Sequence, residues 1–543
     1  MPHFWKSLLR WGEGRSPLAI ALGSGLLMGC TVAPLEAWPL AWGAIAPLWV
    51  LVVRAGARSS ADAEGDLGPS AWQLGLAWGV GFHGIALSWI TGVHPMTWMG
   101  VPWLASLAIA LFCWIFITLW GAALVVAWAG LMAWLEGRSR ARFSSAGAIA
   151  ARLGSGVALW LLLETLCLQM PLNWSLIAYT QSPHNLAILH LGQLAGPFAV
   201  SAALLGVNGL LAEAWLHRRS RHVLGRSLAA GAIALGIALH GVGWALYQQP
   251  LLAADSDSLR VGIVQGNVPN TIKLYPEGFR RAIEGYTTGY RTLAQQGVDA
   301  VLTPETALPF LWTEATAPQS SLYQAIQESG VLAWVGAFGR EDNRFTNSLF
   351  TVTDDGILDR YDKVKLVPLG EYIPFESILG RWIDRLSPLD ATLKHGLPYQ
   401  QVDTPLGRAI VGICYESAFP EHFRRQALAG GAFILSASND AHYSAVMPAQ
   451  HHAQDIMRAI ETDRWAVRAV NTGYSAIVDP HGRTQWISEL DTFATHSATI
   501  DRRSTQTLYV RLGNWLTPLM LAIALGLEMR YRQSRQQPSA PTR

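Results

Sequence analysis

The sequence predicts an α-helical membrane domain of eight transmembrane helices carrying a water-soluble α/β layered domain, and three observations lead there. Of 543 residues 51% are hydrophobic and 14% charged, with 24 Trp, where an ordinary soluble domain is about 25% charged. The apolar residues gather into eight long runs, and residues 255–505 contain none of them. Basic residues occupy every second short loop between those runs. A disordered, fibrous or wholly soluble chain is excluded, and a formal net charge of +2 gives no ground for a nucleic-acid partner.

A helical span needs roughly 20 apolar residues to cross about 30 Å of hydrocarbon. Such runs lie near 17–35, 38–55, 71–92, 101–135, 154–172, 186–216, 227–247 and 508–528. The long fourth run counts once, tilted, kinked near Gly121 or emerging from the bilayer, because two crossings would break the charge alternation. Leu27-Met28-Gly29-Cys30 looks like a lipoprotein signal, but Met28 suits that cleavage poorly and more spans follow. Lys6, Arg10 and Arg15 precede the first run, and Arg54 and Arg58 follow the second. Arg138, Arg140, Arg142 and Arg152 follow the fourth, Arg218, Arg219, Arg221 and Arg226 the sixth, and Arg530, Arg532 and Arg535 the last. Loops near 93–100 and 173–185 have no Lys or Arg. Both termini are therefore expected in the cytoplasm and residues 255–505 outside it. The organisation expected is a seven-span membrane domain over 1–254, the outer domain over 255–505, and a last span with a basic tail over 506–543.

Within the outer domain, strand-like runs at 259–265, 300–302, 331–338, 348–353, 408–413, 432–436 and 474–478 alternate with helical stretches near 277–296, 319–329, 420–429 and 449–464. Asp354-Asp355-Gly356 and Pro480-His481-Gly482 suggest hairpin turns. This pattern gives a buried sheet faced by helices.

Chemistry in such domains gathers at strand ends. Glu305 follows the strand at 300–302, Lys363 follows the hairpin, and Cys414 ends the strand at 408–413. Cys30, Cys113 and Cys167 lie within spans as packing residues, so Cys414 is the one cysteine of the outer domain and lacks a disulfide partner there. If the three ends converge, the carboxylate can take the thiol proton and the ammonium can stabilise both an ionised sulfur and an oxyanion. His442, His451 and His452 have no carboxylate or thiol at a metal-ligand spacing and read as solvated or helix-face histidines. Glu164 lies in a span, facing other helices or a lipid route. No phosphate-cradling or dinucleotide motif occurs, and neither metal nor cofactor is expected.

At these residues the sequence resembles the nitrilase superfamily and, more closely, the apolipoprotein N-acyltransferase family. The segments that carry the resemblance are Val264-Gln265-Gly266-Asn267, the Thr-Pro-Glu-Thr-Ala-Leu-Pro run at Glu305, Leu366-Val367-Pro368-Leu369-Gly370-Glu371-Tyr372 and Gly412-Ile413-Cys414-Tyr415-Glu416. Ser438-Asn439-Asp440, Arg458-Ala459-Ile460-Glu461-Thr462 and Asn471-Thr472-Gly473 add to it, with Glu164, Pro171-Leu172-Asn173-Trp174 and Asn208 in the membrane part. The resemblance implies an α-β-β-α nitrilase-like sandwich with a Glu305–Lys363–Cys414 triad: general base, oxyanion-stabilising cation and acylated nucleophile. Glu371, Tyr415, Glu416 and Asn439 match supporting positions. It further implies a phospholipid acyl donor, with phosphatidylethanolamine expected, a diacylglyceryl apolipoprotein acceptor, and a monomer in a bacterial inner membrane with its catalytic domain in the periplasm. A Trp usual after Lys273 is replaced by Leu274 and Tyr275, leaving Tyr275 as the candidate aromatic contact to lipid. Leu369, Lys365 and His442-Tyr443 also depart from the pattern, all in loops near the pocket mouth. Two other readings stand beside this one: a membrane-tethered nitrilase-type amidase resolved by water, and a transporter with an outer binding domain.

Overall fold

In the computed structural model the described residues are 16–60, 68–138, 146–251, 258–373 and 392–536. The 254/255 boundary and the charges Lys6, Arg10, Arg15, Arg140 and Arg142 lie outside them.

The membrane part is helical: α1 (Pro17–Gly29), α2 (Ala46–Ser60), α3 (Ala71–Ala86), α4 (Trp103–Arg138), α5 (Ala146–Cys167), α6 (Pro197–His217) and α7 (His222–Tyr247). Among the described residues, five helical stretches are long and apolar enough to cross a membrane: Trp38–Arg58, α4, α5, α6 and α7. The other three runs of the sequence take other forms. The first gives the 13-residue α1, and the third gives α3, whose 16 residues reach about 24 Å. The last gives α12 (Leu516–Gln536), apolar at its start and rich in Arg and Gln towards its end. The sixth run is broken at its start into turns at Leu186–Leu189 and Gly192–Ala195, since Gly196 at φ +64° ends one segment and Pro197 opens α6. The fourth run forms a single 36-residue helix. On α3, Gly79 faces α4 so closely that a Cβ would meet Ala122 Cα at 2.7 Å, the small-residue contact that lets apolar helices pack.

Arg152 sits differently from its sequence expectation. It lies inside α5, buried, with its guanidinium on both oxygens of Glu213 at 2.8 Å. Its charge is neutralised between helices and cannot count as a loop charge that orients the chain.

The outer domain is a two-sheet sandwich. Its strands are β1 (Ser258–Gln265), β2 (Ala300–Leu302), β3 (Leu308–Leu311), β4 (Leu332–Glu341), β5 (Arg344–Thr353), β6 (Gly356–Asp362), β7 (Val402–Thr404), β8 (Gly407–Ile413), β9 (Phe433–Ser438), β10 (Ala466–Val470), β11 (Ala476–Val478), β12 (Thr484–Ile487) and β13 (Ala494–Asp501). One sheet runs β13-β1-β2-β4-β5-β6 with β3 against β4, and the other runs β12-β11-β10-β9-β8-β7. Alternate residues Leu259, Val261 and Ile263 of β1 meet Val411, Ile413, Leu435 and Val467 between the sheets. On the outer face of the first sheet, α8 (Pro276–Gln295) lays down Ala282, Tyr286, Tyr290 and Leu293 at helical spacing, next to α9 (Ser321–Ser329).

The opposite helical layer is α10 (Pro420–Leu428) and α11 (Val446–Thr462). All but two of the 17 residues of α11 are buried, because it is covered by a sheet on one side and by the membrane part on the other. Ile456, Met457 and Ile460 belong to the same apolar cluster as Trp49, Tyr179 and Leu189. This shared core fixes the outer domain against the spans, with the carboxyl ends of β2, β6 and β8 at the junction.

Candidate active site

Each triad residue is placed by the end of a strand. Glu305 follows β2 in a turn held by Thr303, whose amide donates to Trp334 O at 2.9 Å and whose hydroxyl accepts from Gly336 N at 3.0 Å. The turn presses so closely on β4 that a Cβ at Gly336 would come within 1.9 Å of Pro304 O. Lys363 follows β6, its amide donating to Asn347 O at 2.8 Å. Cys414 leaves β8 at φ +51° and opens the helical turn Cys414–Ala418. A left-handed backbone at a cysteine is strained, and it turns the side chain out of the strand direction at the point where the chain reverses.

The buried Lys363 ammonium donates to Glu305 Oε1 at 2.8 Å and to Glu371 Oε1 at 3.0 Å. Asn347 Nδ2 bridges the same two oxygens at 2.7 and 2.8 Å. Burial pushes the Glu305 carboxyl up, but Lys363, Asn347 and Lys273 together outweigh it and hold the carboxyl below its usual range. Burial pulls Lys363 down, yet the charges of Glu305 and Glu371 hold its ammonium well above the usual lysine range. Burial and then the Glu305 charge push the Cys414 thiol well above its usual range, with Lys363 opposing. At rest the sulfur is therefore a thiol beside a carboxylate, in place of the ionised sulfur the sequence suggests. Its proton leaves as an attack begins, with Glu305 as the acceptor.

Two neighbours of Cys414 tie the site together. Glu416, fully buried, accepts from the amides of Ile413 (2.8 Å), Val364 (2.7 Å) and Lys365 (3.0 Å) and from Tyr361 Oη (2.9 Å). It thereby clamps the segment after β6 to the end of β8 and sets Lys363 against Cys414. Tyr415 Oη donates to Pro171 O at 2.9 Å and accepts from Asn173 N at 2.8 Å, while its ring stacks on Trp174. The catalytic turn is thus anchored on the segment that follows α5.

Glu305, Lys363 and Cys414 stand in the wall of a chamber of about 1170 Å³ whose other walls come from α4 and the 87–99 and 171–176 segments. Along α4, Phe112, Phe116 and Trp120 stack in succession, line the chamber and are 64, 47 and 37% exposed. A soluble protein seldom leaves such a ladder uncovered, whereas a helix facing acyl chains does. Glu164 and Glu371 also line the chamber.

Of the remaining expected residues, Asn439 reaches the chamber and bonds to Asn270 and Asn471. Tyr275, 50% exposed, stands outside the chamber wall, and Leu274 takes the place beside the site. His451 and His452 are buried on α11, contrary to the solvated reading, because the membrane part covers that helix. The fold also creates a cluster that sequence spacing hides: Cys414 Sγ, an Asp440 oxygen and a His451 nitrogen lie within 4.8 Å of one another. Protein partners already occupy these groups. His451 Nδ1 meets Asp440 Oδ1 at 3.0 Å, its Nε2 donates to Cys414 O at 2.9 Å, and Arg468 donates to Asp440 Oδ2 at 3.1 Å. A metal ion would find no free imidazole nitrogen there.

Sequence reasoning missed Asn347, Lys273 and the Asp440–His451 pair. The polar triplet Thr346-Asn347-Ser348 within a buried strand is the signal that could have marked Asn347. Lys273 Nζ donates to Thr306 Oγ1 at 2.8 Å and to Glu305 O at 3.3 Å, and burial pulls its amine down to about 8. Keeping it charged at neutral pH costs roughly 3 kcal/mol. Lys273→Met is therefore expected to melt a few degrees above the parent at pH 7 and to transfer more slowly, since Glu305 loses a supporting charge. The parent's folded state sheds this proton earlier than its unfolded state, so the parent gains stability from about pH 8 upward and the difference closes towards pH 10. A lower melting temperature for Lys273→Met across this whole range contradicts the assignment.

Known proteins resemble the chain along nearly all of its length. Residues 24–210 match the apolipoprotein N-acyltransferase N-terminal domain family and residues 260–509 the carbon-nitrogen hydrolase family. The chain is 57% identical over 498 residues to an apolipoprotein N-acyltransferase of Nostoc sp., covering 92% of this chain and 96% of the relative. Its identity to that of Synechocystis sp. is 47% over 505 residues, covering 92% and 97%, and to that of Pseudomonas aeruginosa PAO1 it is 32% over 481 residues, covering 86% of each. Among solved structures, a nitrilase-superfamily amidase from Nesterenkonia aligns at 17% identity and a TM-score of 0.37, covering 49% of this chain and 99% of the amidase.

Proposed function

The chain belongs to the apolipoprotein N-acyltransferase family, and from that premise we propose how its residues perform the family's reaction. It is an acyltransferase of lipoprotein maturation that works through a thioester. Cys414 is the nucleophile, Glu305 the general base and Lys363 the oxyanion-stabilising cation. Glu371, Tyr415, Glu416 and Asn439 hold them in place. The carrying observation is that the Glu305–Lys363 pair and Cys414 share a chamber with the span residues Phe112, Phe116 and Trp120.

In the first half-reaction the Cys414 proton passes to Glu305, and the sulfur attacks the ester carbonyl of a phospholipid, for which we propose phosphatidylethanolamine. The oxyanion forms against Lys363. When it collapses, the ester C–O bond breaks, the leaving alkoxide takes the proton from Glu305, and a lysophospholipid departs. In the second, the α-amine of an N-terminal diacylglyceryl-cysteine attacks the thioester and gives its proton to Glu305. The C–S bond breaks, and the sulfur recovers that proton as the amide leaves. An apolar wall of this length suits a lipid donor better than the small soluble amide of the amidase reading.

We propose its placement as well. A 1–254 membrane domain and the last span give eight crossings, with both termini cytoplasmic, residues 255–505 periplasmic, and a monomer as the working unit. The support is the basic alternation from Arg54 and Arg58 to Arg218 and Arg219.

The test is mass spectrometry of the full-length protein in detergent after incubation with phosphatidylethanolamine. The expected result is an acyl mass on the Cys414 peptide, discharged by a diacylglyceryl lipopeptide. N-acylated lipopeptide forming while that peptide never carries an acyl group would overturn the mechanism.

A further inference from the structure

Next to the nucleophile, His451 is buried completely and both of its ring nitrogens face acceptors. Nε2 is 2.9 Å from the Cys414 carbonyl oxygen, which can only accept. Nδ1 is 3.0 Å from Asp440 Oδ1. Asp440 meets the Arg468 guanidinium through its other oxygen, so it too is an acceptor. A neutral imidazole has one N–H and can serve only one of these partners. We infer that His451 is an imidazolium, a further fixed positive charge beside Cys414 that holds the catalytic backbone turn and favours the thiolate. This inference rests on the assignment of Cys414 as the nucleophile.

The surroundings agree. Burial pushes the Asp440 carboxyl up, but His451 and Arg468 outweigh it and hold it below its usual range. The other charged or titratable groups near His451 are Asp455 and His452 on its own helix and Arg468 on β10, which also pairs with Asp455. Trp174 closes the site edge-on at 5.7 Å, shielding the imidazolium from water. Cys414 holds a left-handed φ of +51°, and the bond from His451 to its carbonyl helps to fix the peptide plane that follows it. His451 touches no reacting atom through a hydrogen bond, so its role is that of a positioning residue. Its charge adds to that of Lys363.

Asp440→Asn separates charge from shape. The amide nitrogen can donate to His451 Nδ1, the imidazole becomes neutral while still donating from Nε2 to Cys414 O, and Arg468 keeps Asp455. The readout is the rate at which iodoacetamide alkylates Cys414 in the full-length protein across pH, the sulfur displacing iodide. Asp440→Asn is expected to react about tenfold or more slowly at neutral pH, its rise displaced upward by about one pH unit or more. His451→Gln, which keeps a donor for Cys414 O without the charge, should behave alike. Profiles coinciding with the parent's overturn the inference, and if acyl labelling of Cys414 by phospholipid persists, the catalytic assignment survives that failure. Nitrogen NMR of 15N-histidine-labelled parent protein is the second measurement and needs no variant to fold except to assign the signal. A neutral tautomer at His451 overturns the inference outright.

Discussion

Exchanging Cys414 for alanine leaves a folded protein that transfers no acyl chain, a loss of at least about 10⁴-fold by the scale on which removal of a nucleophile acts in hydrolases. The fold should survive for reasons local to the residue. Cys414 is 7% exposed, and removing one sulfur leaves a void costing about 1 kcal/mol. The left-handed φ of +51° strains alanine as much as cysteine, so that cost cancels in the comparison. Glu416 and Tyr415 keep every partner they have, because none of their bonds reaches the sulfur. The measurements are the yield of triacylated lipopeptide and the melting temperature in the same detergent. A variant that melts within a few degrees of the parent yet retains one per cent of its transfer removes Cys414 from the reaction.

What could be read in the sequence was set by whether a feature is local. Glu305 and Cys414 were legible because each follows a short apolar run, and Lys363 because it follows the hairpin marked by Asp354-Asp355-Gly356; such ends are visible without knowing which strands pair. Asn347 and His451 lie on other elements and reach the triad only through the sheet order and the seating of α11 under the membrane part. Strand visibility followed burial. β13 and β7 are sheet edges carrying Thr, Ser, His and Asp, so no apolar run marks them. Central β10 escaped because Arg468 interrupts Ala466–Val470, a buried cation tolerated there only through Asp440 and Asp455. Hydropathy likewise registered the 186–216 run as one span, since it does not weigh the Gly196-Pro197 break that divides it.

Lys363→Met is the other change with a large expected effect, and its sign against pH is as informative as its size. Lys363 is the cation shared by the buried Glu305 and the half-buried Glu371, and Asn347 then remains as the one side chain bridging both. Removing one member of a buried ion pair costs about 3–5 kcal/mol when the partner stays charged. In the parent, Glu305 has a folded-state value below its unfolded one, so its stabilisation is present above about pH 4.5 and is lost as the pH falls through the folded value. Lys363 itself, raised well above 10.5, withdraws nothing over the accessible range. Without the ammonium, burial dominates at Glu305 and raises its folded value above the unfolded one, so the variant is most stable in acid and loses stability as the pH rises. The parent's melting temperature should thus climb from pH 4 to pH 7 while that of Lys363→Met falls. Acyl transfer should drop by about 10³-fold or more, because a protonated Glu305 cannot take the Cys414 proton and the oxyanion has lost its cation. Adding Glu371→Gln removes one of the stranded charges and should restore part of the stability without restoring transfer. Parallel melting profiles for parent and Lys363→Met would mean that this lysine does not hold Glu305 ionised, and the acid–base assignment would fall with it.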